Sequence, residues 1–222
     1  MELLVNYGGK TYVLPDTIVN TFVVVIVLAI FGILVGRKFK RLDPAAKPGK
    51  LQTFMELAVE GVENLVVTNM GPQNLKFAPY IFTLALFLLV SNLWGLVGLT
   101  PPTSDISVTM ALALITFILT QIFKFRSNHG FFGYLKSFTE PIVVITPVNI
   151  IGELANPISL SFRLFGNIMS GGLILTLVYA GLGMFSPIVA PVLHAYFDIF
   201  AGVLQTFIFV MLTMLYIGGD AE

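Results

Sequence analysis

Apolar runs of about 20 residues, long enough to cross a hydrocarbon core of about 30 Å, recur along this chain between short polar or proline-rich stretches. The first, TIVNTFVVVIVLAIFGILVG at 17–36, carries no charge and predicts a spanning helix after an N-terminal segment, 1–16. The basic cluster RKFKR follows it, and no small-residue cleavage site is evident, so the run reads as part of the mature protein. Next comes the linker DPAAKPGK. The stretch 51–68 then places Glu56, Glu60 and Glu63 at helical spacing beside an apolar face. That pattern fits an interfacial helix on the membrane surface and fits equally a helix packed against other protein. Residues 77–99 and 106–123 predict two further spans, joined at Pro101, Pro102, Ser104 and Asp105 into a hairpin.

The last two runs are different. As one helix, 143–182 would be about 60 Å long, twice the hydrocarbon thickness, so it must tilt, bend or break, with Gly152 and Pro157 as the places for a bend. The segment 187–217 is also too long for an upright span. The predicted fold is therefore all-α and polytopic: five transmembrane helices, one interfacial amphipathic helix, and a long, tilted final pair, all in one membrane domain, 1–222.

Composition agrees. Of 222 residues, 56% are hydrophobic and only 11% charged, so no basic face for nucleic acid can be assembled. The absence of cysteine excludes thiolate chemistry, and His129 and His194 are too far apart to suggest a zinc pair, so no metal or cofactor is expected. Basic residues orient the chain because positive loops stay in the cytoplasm. With five crossings and the N-terminus outside, Arg37, Lys38, Lys40, Arg41, Lys47, Lys50, Lys76, Lys124, Arg126 and Lys136 all fall inside, only Lys10 falls outside, and the C-terminus is cytoplasmic. Arg163 remains in the membrane.

An arginine there costs roughly 2.5–3.5 kcal/mol on insertion scales. Snorkelling to the headgroups is the plain alternative, but Ser159, Arg163, Asn167 and Ser170 lie within about 80° on one helix face and form a polar stripe. His194, Asp198 and Gln205 form a second stripe on the last helix. A carboxylate, an imidazole and amides so placed suit ion movement through a bilayer. The structural alternatives are that Asn149, Asn156 and Gln121 only hydrogen-bond neighbouring helices, and that Asp198 and Arg163 form a locking ion pair. Small residues Gly166, Ser170, Gly171 and Gly172 beside Arg163 allow a neighbour to approach closely.

The strings NPISLSFRLFGNIMSGG at 156–172 and LQTFIFVMLTMLYI at 204–217, with the segment SNLWGL, resemble subunit a of the bacterial-type rotary F-type ATP synthase. The resemblance implies a fold whose last two helices curve around a ring of c subunits. Its partners would be that c-ring, the b-subunit peripheral stalk and the rest of the complex, in the bacterial plasma (inner) membrane. It implies that Arg163 is the stator arginine facing the ring carboxylates. Asn167, Asp198 and Gln205 would line an outer half-channel, Glu153 would lie near the cytoplasmic exit, and Asn92 would line the channel. Many relatives have a carboxylate at the position of Gly172 and a histidine at that of Asp198, so here the acid has crossed the helix interface; glycine at 172 also argues against a chloroplast origin. His194 has no role in the resemblance. The chain has no GxxxxGK[ST] loop for ATP, so it is expected to be a non-catalytic subunit. The alternatives are a self-contained secondary transporter binding an anionic solute at Arg163, and a structural anchor.

Overall fold

The computed structural model describes residues 3–7, 10–40, 49–127, 133, 138–139 and 143–218. Most of the DPAAKPGK linker, together with Arg41, Lys47, His129, Lys136 and the C-terminus, lies outside the described residues. A short antiparallel hairpin, β1 (Leu3–Tyr7) and β2 (Lys10–Leu14) with Leu3 opposite Leu14, opens the chain. It was not expected in the N-terminal segment. Otherwise the described chain is helical, as the apolar runs require.

Helix α1 (Asp16–Phe39) is apolar all round, and only Val24 in it is buried, as suits a helix facing lipid. Its start is tied to the hairpin loop, where Thr17 Oγ1 donates to Asp105 Oδ2 at 2.8 Å and Asn20 Nδ2 to the Thr100 carbonyl at 2.8 Å. Helix α2 (Lys50–Met70) exposes Leu51, Phe54 and Leu57 but buries Val66 and Met70 in the core. Its C-terminal end thus packs on the chain's own helices. Helices α3 (Ala78–Leu93) and α4 (Ile106–Ser127) form the expected hairpin.

Helix α5 runs unbroken from Thr146 to Leu182 with Pro157 inside it, so of tilting, bending and breaking the last does not occur. Its 37 residues extend about 55 Å, which leaves tilt or a bend to fit it to a bilayer. After a turn at Gly183–Phe185 the chain returns as α6 (Ser186–His194), a π-helical turn (Ala195–Phe200) and α7 (Ala201–Gly218). Hydrogen bonds from Asn167 to Gln205 and between Tyr179 and His194 match early positions on one arm with late ones on the other, so the arms are antiparallel. Among the described residues four segments are long and apolar enough to cross a membrane, and the last, Val143–Gly218, contains both arms, which is consistent with five crossings.

The core lies between α3 and α7, where Ile81, Leu88, Phe209, Met214 and Ile217 are wholly buried. Lipid tails are as apolar as leucine, so close packing and hydrogen bonds must hold such helices together. Asn92 does this: its Nδ2 donates to the Gly202 carbonyl at 3.1 Å and to Thr206 Oγ1 at 3.0 Å, while its Oδ1 accepts from Thr103 Oγ1 at 2.8 Å. Gly202 permits the approach, since a Cβ there would lie 3.3 Å from Asn92 Cβ.

Candidate functional site

Helix α5 passes two cavities. One, of about 170 Å³, is lined by Gln121 and Lys124 of α4, Glu153, Asn156 and Leu160 of α5, and Tyr216 of α7. The other, of about 370 Å³, lies at the opposite end of α4, beside Pro101 and Ser104, and takes in Ile168 to Thr176 of α5 with His194 and Asp198. Each has room for several waters at about 30 Å³ apiece. Between Leu160 and Ile168 neither cavity touches α5, a gap of about 12 Å of helix that contains Arg163. A larger hollow of about 640 Å³ between α1 and the α3–α4 hairpin is lined almost wholly by apolar side chains and offers no groups to carry charge.

Arg163 is exposed and makes no hydrogen bond or ion pair among the described residues. The locking pair with Asp198 is therefore not formed. Ser159, Asn167 and Ser170 are exposed on the same helix, so this polar stripe looks out of the chain, with leucines 160 and 164 turned to the core. Asn167 also reaches α7: its Nδ2 donates to Gln205 Oε1 at 2.6 Å, and Ser170 Oγ donates to the Asn167 carbonyl at 3.3 Å. Gln205 is 1% exposed and its Nε2 has no partner among the described residues. Asn167 and Gln205 line neither cavity; they stand between them.

Asp198 does line the second cavity, in the π-helical turn, and its Oδ2 pairs with His194 Nδ1. His194 Nε2 lies 2.6 Å from the hydroxyl of Tyr179 on α5. Reading the residues alone missed Tyr179, since an isolated tyrosine in an apolar run carries no signal until the arms fold back. Gly172 lines the same cavity, and a Cβ there would meet nothing within 4 Å. At the first cavity Glu153 accepts from Gln121 Nε2 at 2.6 Å and pairs with Lys124 Nζ at 2.6 Å. Gln121 ties α4 to α5 through Glu153, and Asn149 donates to the Phe138 carbonyl at 2.9 Å. Asn92 borders the second cavity but is 2% exposed and committed to its three bonds.

Comparison with known proteins matches residues 18–218 to a family described as ATP synthase A chain. Subunit a 1 of the Pelobacter propionicus ATP synthase is 38% identical over 93% of this chain and 88% of its own. The subunit a of Geotalea daltonii is 39% identical over 93% and 88%, and that of Trichlorobacter lovleyi 36% over 93% and 87%.

Proposed function

Because the chain belongs to the ATP synthase subunit a family, we propose that it is the ion-conducting stator subunit of a bacterial ATP synthase. It works in the membrane beside a c-ring and a b-subunit stalk, with the N-terminus outside, and ATP chemistry resides on other subunits. The observation that carries this reading is Arg163: a guanidinium on an outward face of a long apolar helix, without a partner among the described residues, between two cavities at opposite ends of the fold. Such a group needs a partner from outside, and a ring carboxylate supplies one. Always charged, the arginine favours the ionised carboxylate as it passes and so separates the two water paths. The cavity with Asp198 is the outer entry, and the one with Glu153 is the cytoplasmic exit.

A self-contained transporter would enclose its substrate site within its own helices, whereas this arginine faces outward. The test is reconstitution: the purified chain alone should pass neither protons nor solute, and the assembled complex should couple ion flow to ATP synthesis. Solute exchange by the isolated chain would overturn the reading.

A further inference from the structure

We propose that Tyr179, His194 and Asp198 form a single proton-loading unit at the outer cavity, in which the His194–Asp198 pair holds the proton and Tyr179 is a positioning residue. The proposal rests on the reading of the chain as an ion-conducting stator, and it names the entering ion as a proton.

The geometry defines a consistent set of protonation states. A tyrosine hydroxyl donates or accepts, a neutral imidazole does one at each nitrogen, and an ionised carboxylate only accepts. The chain Tyr179 Oη, His194 Nε2, His194 Nδ1, Asp198 Oδ2 is therefore satisfied when the hydroxyl donates to Nε2 and Nδ1–H donates to the carboxylate. If the pair takes up one proton at Nε2, rotation of the tyrosine O–H lets the same oxygen accept from Nε2–H, and the imidazolium stays beside the carboxylate. The net charge of the pair passes from minus one to zero. Release of one proton inward through the Asp198 carboxyl returns the net charge to minus one and leaves Nε2–H donating to Tyr179; proton exchange through water then restores the tautomer with Nδ1–H beside the carboxylate. No heavy-atom bond is made or broken.

Placement supports the direction. Tyr179 lies one turn from the end of α5, His194 ends α6, and Asp198 is about 6 Å further along the returning arm. The groups thus run from the α5–α6 turn toward Gln205. The π-helical turn of the described residues falls on Ala195–Phe200 and includes Asp198; such wide turns are frequent at functional sites. Among the described residues lining this cavity, only His194 and Asp198 carry acid–base side chains. Tyr179 faces the pair from α5, and the hairpin side offers the uncharged Asn92, Thr100 and Ser104. The neighbouring Asp105 is turned to Thr17 of α1. A cavity with these groups has a proton acceptor poised for solvent even though Gly172 cannot titrate.

The experiment measures ATP synthesis by the whole assembled complex in proteoliposomes as a function of outer pH, with inner pH and membrane potential fixed. Tyr179→Phe keeps the ring and removes the hydroxyl. An imidazolium N–H loses more from a missing partner than a neutral ring nitrogen does, so the midpoint on the outer side should move about one pH unit toward acid, with the rate largely recovered at the acid end. His194→Gln should abolish that titration step, and adding Tyr179→Phe to it should have no further effect. An unshifted profile in Tyr179→Phe, or a wild-type profile in His194→Gln, overturns the proposal. A variant that fails to assemble is replaced by His194→Asn, judged by the same loss of the titration step. Arg163→Gln in the same vesicles separates the two ideas: if it is inactive while the pH profiles are unmoved, the stator reading stands and the proton-loading unit falls.

Discussion

Asn167 on α5 holds Gln205 on α7 at 2.6 Å, a tie between the two long arms that lies between the cavities. Arg163, one turn before Asn167, has no such tie among the described residues and projects outward. The pair fixes the spacing of the arms at the level where an external carboxylate would have to meet the arginine.

Arg163→Lys should reduce ion-driven ATP synthesis by at least a hundredfold, although charge is retained. Lysine lacks the planar fork and loses its proton more readily when desolvated; one carboxylate contact of about 3 kcal/mol corresponds to that factor. Synthesis in vesicles of assembled complex is the readout, and wild-type rates would remove the stator assignment.

Asp198→Asn should slow synthesis severely with assembly intact, since the amide is nearly isosteric but carries neither proton nor negative charge. Gly172 lines the same cavity and has open space at its Cβ position, so Gly172→Glu added to Asp198→Asn should restore part of the rate. Equal rates for the single and double variants, both assembled, would show that an acid elsewhere in the cavity cannot substitute.

Asn92→Ala should destabilise the helix assembly by roughly 1–3 kcal/mol, because the Thr103 hydroxyl would remain buried without its acceptor and the bonds that join Asn92 to α7 would be lost. Thermal unfolding in detergent measures this. An unchanged midpoint would mean that these bonds are replaced by others.

Asp105 gives a pH prediction. Desolvation alone would raise its carboxyl, but the Ser107 backbone N–H and the hydroxyls of Thr17 and Ser107 outweigh it and hold it below the ordinary 3.8. Because the folded value is depressed, its contribution is complete above the ordinary value and is lost as pH falls through the depressed one. Attachment of α1 to the hairpin loop should therefore be insensitive to pH near neutrality and weaken only below about pH 4. Asp105→Ala should remove that acid-sensitive component from the thermal stability.

Topology can be read with single cysteines, since the chain has none of its own. Leu99→Cys, at an exposed site by the α3–α4 turn, should react with impermeant reagent from outside, and Arg126→Cys, exposed at the other end of α4, only from the cytoplasm. The opposite pattern would invert the entry and exit cavities.

Much of this protein was determined by hydropathy along the chain. Uncharged runs of spanning length have to become helices in a bilayer, because backbone groups there have no water to bond to, and α1, α3, α4 and both long arms follow. The polar stripe through Arg163 was also legible, because helical periodicity places its members on one face whatever surrounds them. Periodicity does not say what that face meets. Only the folded arms decided that Arg163 looks outward, that Asn167 bonds Gln205, and that Asp198 pairs with His194. A straight α-helix through 194–205 puts His194, Asp198 and Gln205 on one stripe; the π-helical turn shifts the register, leaving the first two at a cavity and burying Gln205. Tyr179 became visible only through the antiparallel return of the chain, which brings together residues that no local pattern connects.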